Sequence, residues 1–320
     1  MHVLVTGAAG FIGYHTCLKL LSRGHNVTGL DNLNDYYPVA HKDDRLHLLR
    51  DYNNWSFVLG DIREKRLLRE IFFQKGITHV VHLAAQAGVR YSELHPSLTY
   101  KNNIHGFHTL LEAITDIKSF PIQNLVYASS SSVYNGRPPF KESREVSPDN
   151  YYAFSKVENE LTARLYKVPT TGLRFFSVYG EYARPDQVFY KFSSEMLQGK
   201  PVCFYNAGNI HRDFTHVSDI VNGILLALNK PRDHEIYNLG AGKAIKLMDA
   251  ANLLASHLPI KQKYKYIIGA KNKEPVITEA DYTKAKVFLG YQPKVDFKKG
   301  MKSFAEWFLE YQDKLFNKGA

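Results

Sequence analysis

Through the first 180 residues, six short runs rich in β-branched residues alternate with segments of helical period. The runs fall at 3–6, 26–31, 56–59, 79–83, 124–129 and 171–176, and the helical segments at 11–22, 65–73, 100–114 and 151–166. Strands separated by crossover helices can pair only in parallel, so the expected fold class is α/β with a doubly wound parallel sheet. After Gly180 the pattern loosens into Pro-, Tyr- and Lys-rich stretches, with a helix at 188–197, a strand near 213–217, a helix from Asp219 and an amphipathic helix at 299–316. The expected division is a sheet domain at 1–180, to whose sheet about 212–240 returns, and a smaller interleaved C-terminal lobe at 181–320.

The first strand runs straight into Thr6-Gly7-Ala8-Ala9-Gly10-Phe11-Ile12-Gly13, which opens the first helix. In a strand-turn-helix unit the first glycine turns sharply, the second admits a pyrophosphate against bare backbone, and the third lets helix and strand pack closely. Asp31 ends the second strand, where an acid accepts hydrogen bonds from a ribose 2′-hydroxyl and repels a 2′-phosphate. The domain therefore reads as Rossmann-type with NAD as cofactor, contacted by Gly7, Gly10, Phe11, Ile12, Gly13, Asp31 and Asn32. Asp61 and Ile62 after the third strand, and Leu83, Ala84 and Ala85 closing the fourth, are expected at the adenine and nicotinamide sides. Asp61 reads equally as the N-cap of the following helix.

The fifth strand delivers Tyr127-Ala128-Ser129-Ser130-Ser131-Ser132-Val133-Tyr134 at its C-terminal end, where open α/β sheets bind ligands. Farther on, Tyr152-Ala153-Phe154-Ser155-Lys156 sets a phenol and an ammonium four residues apart on one helical face. The lysine, with a cationic nicotinamide, is expected to lower the phenol's pKa and make it a usable base. Tyr282 and Lys286 repeat the spacing in a charged segment far from the serine strand, and are read as surface residues.

Lys and Arg number 41 against 31 Asp and Glu, a formal net charge of +10. The basic residues are scattered, without the long like-charge block of an interaction tail, so a solvated surface is expected and no nucleic-acid partner. The two cysteines, Cys17 and Cys203, have no CxxC or histidine cluster around them, so neither a disulfide nor a metal site is expected. No apolar run is long enough to span a bilayer, and the opening Met1-His2-Val3 reads as strand rather than export signal; the expected setting is cytoplasmic, with no membrane partner.

The combination TGAAGFIG, Asp31, HLAA, SSSSVY, YAFSK and Arg-Phe-Phe-Ser-Val-Tyr-Gly resembles the extended short-chain dehydrogenases/reductases, the NAD-dependent epimerases and dehydratases of sugar nucleotides, over nearly the whole chain. Within that group, the segments Leu30 to Tyr37, Ala84 to Tyr91, Gly180 to Asp186 and His211 to Ile220 are most similar to UDP-glucuronate 4-epimerases. The resemblance implies that Tyr152 is the catalytic base, that Lys156 tunes it and holds the nicotinamide ribose, and that Ser130 bonds the reacting hydroxyl. It implies that Arg212 holds phosphate oxygens, that Arg90 belongs to the substrate site, and that Asn103 is a structural or water-holding group. It also implies a homodimer that keeps NAD through turnover of a UDP-sugar. A uronate substrate would be gripped by Arg184 with Ser177 and Ser129 or Ser131, since a guanidinium fork matches a carboxylate. The alternatives are a 4-epimerase of a neutral or N-acetylated UDP-hexose, a UDP-sugar dehydratase or decarboxylase, and a non-catalytic NAD-binding regulator. The chain departs from the family at Asn135, where a glycine is usual, and at Lys273-Glu274, where Gly-Asp is usual.

Overall fold

The computed structural model of the protein describes residues 1–117, 121–269 and 275–318; Lys273-Glu274 lie outside them. Six strands follow in order through the first half of the chain: β1 (His2–Thr6), β2 (Asn26–Asp31), β3 (Trp55–Leu59), β4 (His79–His82), β5 (Asn124–Ser130) and β6 (Thr170–Phe175). A seventh, His234–Leu239, adds to the outer edge of β6, giving the spatial order His234–Leu239, β6, β5, β4, β1, β2, β3. All neighbours pair in parallel. The order reverses between β1 and β4, so the loops leaving these strands diverge and open a crevice at their C-terminal ends.

Both faces of the sheet are covered, as the near-continuous apolar strands require. Along β1, Val3 and Val5 point into one layer, built with Leu20, Leu21, Ile220 and Ile224 from helices Phe11–Ser22 and Val217–Leu228. Leu4 points into the other, with Leu68, Phe72, Phe107 and Leu110 from Lys65–Lys75 and Gly106–Thr115. The period of two in β-structure produces this division from consecutive residues.

Of the 212–240 stretch, only His234–Leu239 joins the central sheet. His211–His216 pairs instead with Ser177–Tyr179 and Ala244–Lys246 in a separate three-stranded sheet. The chain leaves β6 at Phe175 and turns away almost at once, and this small sheet carries Ser177 and Arg212 over the mouth of the crevice. The helix expected at 151–166 ends at Ala163, because the chain turns ahead of Pro169, whose ring disfavours helix before it. The helix expected from Tyr100 begins with a turn at Pro96–Thr99 and passes through a π-helical stretch, Tyr100–His105, before regular helix resumes.

Candidate active site

A cavity of about 1070 Å3 opens at the switch point. Its cofactor end begins at Gly10, the N-cap of helix Phe11–Ser22, which offers no side-chain acceptor to the helix and has no acid in the first turn. The first N–H groups of the helix are left for an external anion. Gly7 has φ of 71°, and a Cβ there would lie 2.8 Å from the Ala84 nitrogen. A Cβ on Gly13 would collide with the Gly7 carbonyl. These glycines, with Phe11 and Ile12, form a cradle of bare backbone whose geometry fits a dinucleotide pyrophosphate.

Asp31, the last residue of β2, faces the same cavity. It accepts from Ala9 N at 3.1 Å and Leu33 N at 2.9 Å, which fixes the carboxylate against the phosphate loop. Lys42 Nζ stands 3.6 Å away, almost wholly buried, and also donates to Asn34 Oδ1. Asn32 donates to Asp61 at 2.9 Å. Burial pushes the Asp61 pKa up, yet the hydrogen bonds from Arg63 and Asn32 outweigh it and hold the group at about 2. Asp61 receives Arg63 N in a tight local turn, whereas the helix that follows, Lys65–Lys75, has Glu64 at its N-cap and no side-chain cap bond. Asp61, Ile62, Leu83, Ala84 and Ala85 line the cavity as well.

At the other end, Asn150 caps the helix Tyr151–Ala163 by accepting from Ala153 N at 2.9 Å, and so sets the direction in which Tyr152 and Lys156 project. Ser130, the last residue of β5, accepts from Ser132 N at 3.1 Å and lines the same cavity as the Tyr152 phenol, whose pKa it pulls down. Lys156 is 2% exposed; its Nζ donates to Ala128 O at 2.9 Å and sits 5.8 Å from the Tyr152 ring centre. Burial lowers the Lys156 pKa to about 8, against the opposing pull of Glu160. The expectation that lysine lowers the Tyr152 pKa needs correction. In the protein alone burial raises the phenol, and the groups that pull it back are Ser130 and Arg184. The ammonium spends its shortest bond on a strand carbonyl.

The substrate end gathers residues from four segments. Ser131 and Ser132 line the cavity beyond Ser130, Ser177 and Arg212 reach it from the small sheet, and Arg90 from helix Val89–Leu94. Arg90 stacks over the Tyr205 ring at 4.1 Å. Arg212 Nη1 donates to Pro275 O at 2.7 Å and His211 O at 3.0 Å. Arg184 donates from Nε and Nη2 to the two oxygens of Asp186, both at 2.9 Å. Ser129 departs from the reading that shares a carboxylate contact between it and Ser131. Although at the cavity wall, Ser129 is 2% exposed and its hydroxyl donates to Glu160 Oε1, which is itself held by Arg174. Ser131, by contrast, lines the cavity. Asn103, in the π-helical stretch, bonds both backbone groups of Gln86 and Ser155 Oγ, tying the loop after β4 to the Tyr152 helix. Asn135 does not line the cavity.

Sequence reasoning passes over Lys42, Arg45, Tyr36, Asp186 and Tyr205. No local motif marks them, and all but Asp186, whose partner Arg184 is two residues away, act through partners that only folding brings near.

A profile of the family described as "NAD dependent epimerase/dehydratase family" matches residues 3–240. UDP-glucuronate 4-epimerase 4 of Arabidopsis thaliana is 40% identical, the match covering 97% of this chain and 75% of that protein. Among solved structures, the UDP-glucuronic acid 4-epimerase of Bacillus cereus in complex with UDP-glucuronic acid and NAD superposes with a TM-score of 0.89 at 29% identity, covering 97% of this chain and 100% of that one. A dTDP-glucose 4,6-dehydratase of Streptomyces venezuelae with NAD bound superposes with a TM-score of 0.90 at 28% identity, over 98% of each chain. The glycine cradle, the acid ending β2 and the Ser-Tyr-Lys cluster across one crevice are shared out along the very stretch the family profile matches, and the chain belongs to the NAD-dependent epimerase/dehydratase family.

Proposed function

We propose that the protein is a UDP-sugar 4-epimerase that interconverts UDP-glucuronate and UDP-galacturonate, and that it works as a cytoplasmic homodimer. The observation that carries this reading is the convergence on one cavity of the Ser130 hydroxyl, the Tyr152 phenol, the Lys156 ammonium and the Arg184 guanidinium. Tyr152 takes the proton of the sugar 4-hydroxyl as that carbon is oxidised, and Ser130, lining the same cavity, aligns the hydroxyl. When bound, NAD supplies acceptance of the C4 hydride and its return to the opposite face, so the cycle has no net redox change. The Lys156 ammonium, 5.8 Å from the Tyr152 ring centre, would hold the nicotinamide ribose beside the reacting carbon. Inversion requires the keto sugar to turn about its diphosphate linkage, and the cavity of about 1070 Å3 offers the room. Arg184 grips the sugar carboxylate with help from Ser131 and Ser177, while Arg212 and Arg90 serve the nucleotide diphosphate end.

The 4,6-dehydratase with the same fold shows that architecture alone does not choose among reactions. The positions just before Val133-Tyr134 favour epimerisation. Ser131 and Ser132 present hydroxyls there, which are too weakly basic to remove the C5 proton that elimination requires.

Support for the homodimer comes from Tyr151, Phe154 and Leu161 along one side of the Tyr152 helix and Leu165 just past its end, all more than half exposed. They make an apolar seam of the kind that self-association buries. The free thiols of Cys17 and Cys203 suit a reducing compartment. No helix among the described residues is long and apolar enough to cross a membrane.

The deciding experiment incubates the protein with NAD and a panel of UDP-sugars and follows the C4 proton by NMR. UDP-glucuronate should give the C4-inverted uronate as main product. Inversion of neutral hexoses alone would replace the uronate assignment, and a pentose or dehydrated sugar as main product would overturn the epimerase.

A further inference from the structure

Arg184 reaches the cavity wall already held by one carboxylate, and the manner of holding matters. Asp186 takes the Nε–H and one Nη2–H, the side edge of the planar guanidinium, with both contacts at 2.9 Å. Five N–H groups point in fixed directions from that plane. Occupation of the side edge leaves the end fork, made of Nη1 and the second Nη2 hydrogen, and among the described residues no group accepts from Nη1. Asp186 is fixed in turn by Tyr36, whose hydroxyl donates to Oδ2 at 3.1 Å from the loop that follows Asp31. The Tyr36 ring cannot swing away, because it packs edge-on against Tyr91 at 4.7 Å and its oxygen covers Gly88, where a Cβ would approach within 2.8 Å. The Arg184 backbone is pinned as well, its N–H donating to Gln187 Oε1 at 3.0 Å.

We infer that Tyr36 and Asp186 are positioning residues for substrate selection: together they lock the guanidinium plane of Arg184 so that its end fork, and not its side edge, meets the carboxylate of a uronic-acid sugar. This rests on the uronate reading above. The charge arithmetic agrees. Asp186 neutralises Arg184 before any substrate arrives, so the pair offers a second carboxylate little net attraction and recognises it through the direction of its two free N–H bonds. The selecting device therefore spans both halves of the molecule, with the tyrosine on the cofactor side and the ion pair on the substrate side.

The test measures dissociation constants of UDP-glucuronate and UDP-glucose by calorimetry on the NAD-loaded protein and its Tyr36→Phe, Asp186→Asn and Arg184→Ala variants. The preference for glucuronate over glucose should fall about tenfold in Tyr36→Phe and in Asp186→Asn, the size of one lost hydrogen bond to a charged group. Tyr36→Phe keeps the ring packing, so it remains informative even if Asp186→Asn folds poorly. Preference retained in both variants, or equal losses for the two sugars, overturns the inference. If those variants keep their preference while Arg184→Ala loses it, the uronate reading stands and only the positioning role falls. If Arg184→Ala keeps the preference, Arg184 is not the carboxylate grip and the positioning role falls; a parent protein without the preference would overturn the uronate reading itself.

Discussion

Arg45 and Tyr182 are joined by two hydrogen bonds to a single oxygen: Arg45 Nε and Nη2 both donate to the Tyr182 carbonyl, at 3.1 and 2.8 Å. Tyr182 has φ of 58°, a left-handed conformation that a bulky residue adopts only when its surroundings impose it. Its ring is packed between Tyr14 and Trp307, and its carbonyl is held by the guanidinium. The same side chain donates from Nη1 to Ala9 O and to Tyr37 OH, both at 2.9 Å, so one cation ties the phosphate loop to the backbone just ahead of Arg184.

Replacing Arg45 by Ala should therefore be costly. Arg45 is 1% exposed, and its loss would leave several buried acceptors unpaired and a void behind them. We expect a loss of about 3 kcal/mol or more in urea unfolding, together with weaker NAD binding through the loosened Ala9 turn. A loss below about 1 kcal/mol would remove Arg45 from this role.

Tyr152→Phe should abolish turnover while NAD still binds, because only the proton-transferring hydroxyl is removed and the ring keeps its place beside Lys156. The check is single-turnover NMR beside an NAD titration. Activity above about a hundredth of the original would point to another base, since general base catalysis contributes about a hundredfold or more.

Asp31→Ala should weaken NAD binding by about tenfold or more, the worth of hydrogen bonds to a charged group. It should improve NADP binding as well, for a reason the acid alone does not supply. With Asp31 gone, the buried Lys42 ammonium 3.6 Å from it loses its counter-charge and becomes a ready partner for a 2′-phosphate. Fluorescence titration with both cofactors would show it, and a variant that still rejects NADP as strongly as the parent would refute it.

Lys156 links pH to stability with a definite sign. Burial lowers its pKa from 10.5 to about 8, so between these values the unfolded chain holds a proton that the folded protein has released. Stability gained from this group then rises with pH across that window, and below about 8 the fold carries a buried charge. Lys156→Met should thus stabilise the protein without cofactor at pH 7 by about 2 kcal/mol, a gain that shrinks as pH rises toward 10.5. Unfolding curves at pH 7, 9 and 10 test this, and a constant difference would contradict it.

The parts of the protein that sequence alone determined are those whose partners are close along the chain. Gly7, Gly10 and Gly13 lie in one turn, so their spacing reports a backbone shape directly. Tyr152 and Lys156 lie one helical turn apart, so their shared face follows from the helix period. The strands were legible as buried apolar runs, to within a residue or two of their ends, because a sheet covered on both faces leaves little choice of side chain. Tertiary structure decided what depends on partners distant in the chain: Tyr36 on Asp186, Arg45 on Tyr182, and Glu160 holding the Ser129 hydroxyl. It also decided which way the Tyr152 phenol shifts, because burial is a property of the packed molecule and outweighed the pull of Ser130 and Arg184. Local periodicity encodes the elements and the residues they display. Which hydrogen-bonding groups are already satisfied before a substrate arrives emerges only when loops from both halves of the chain close over one cavity.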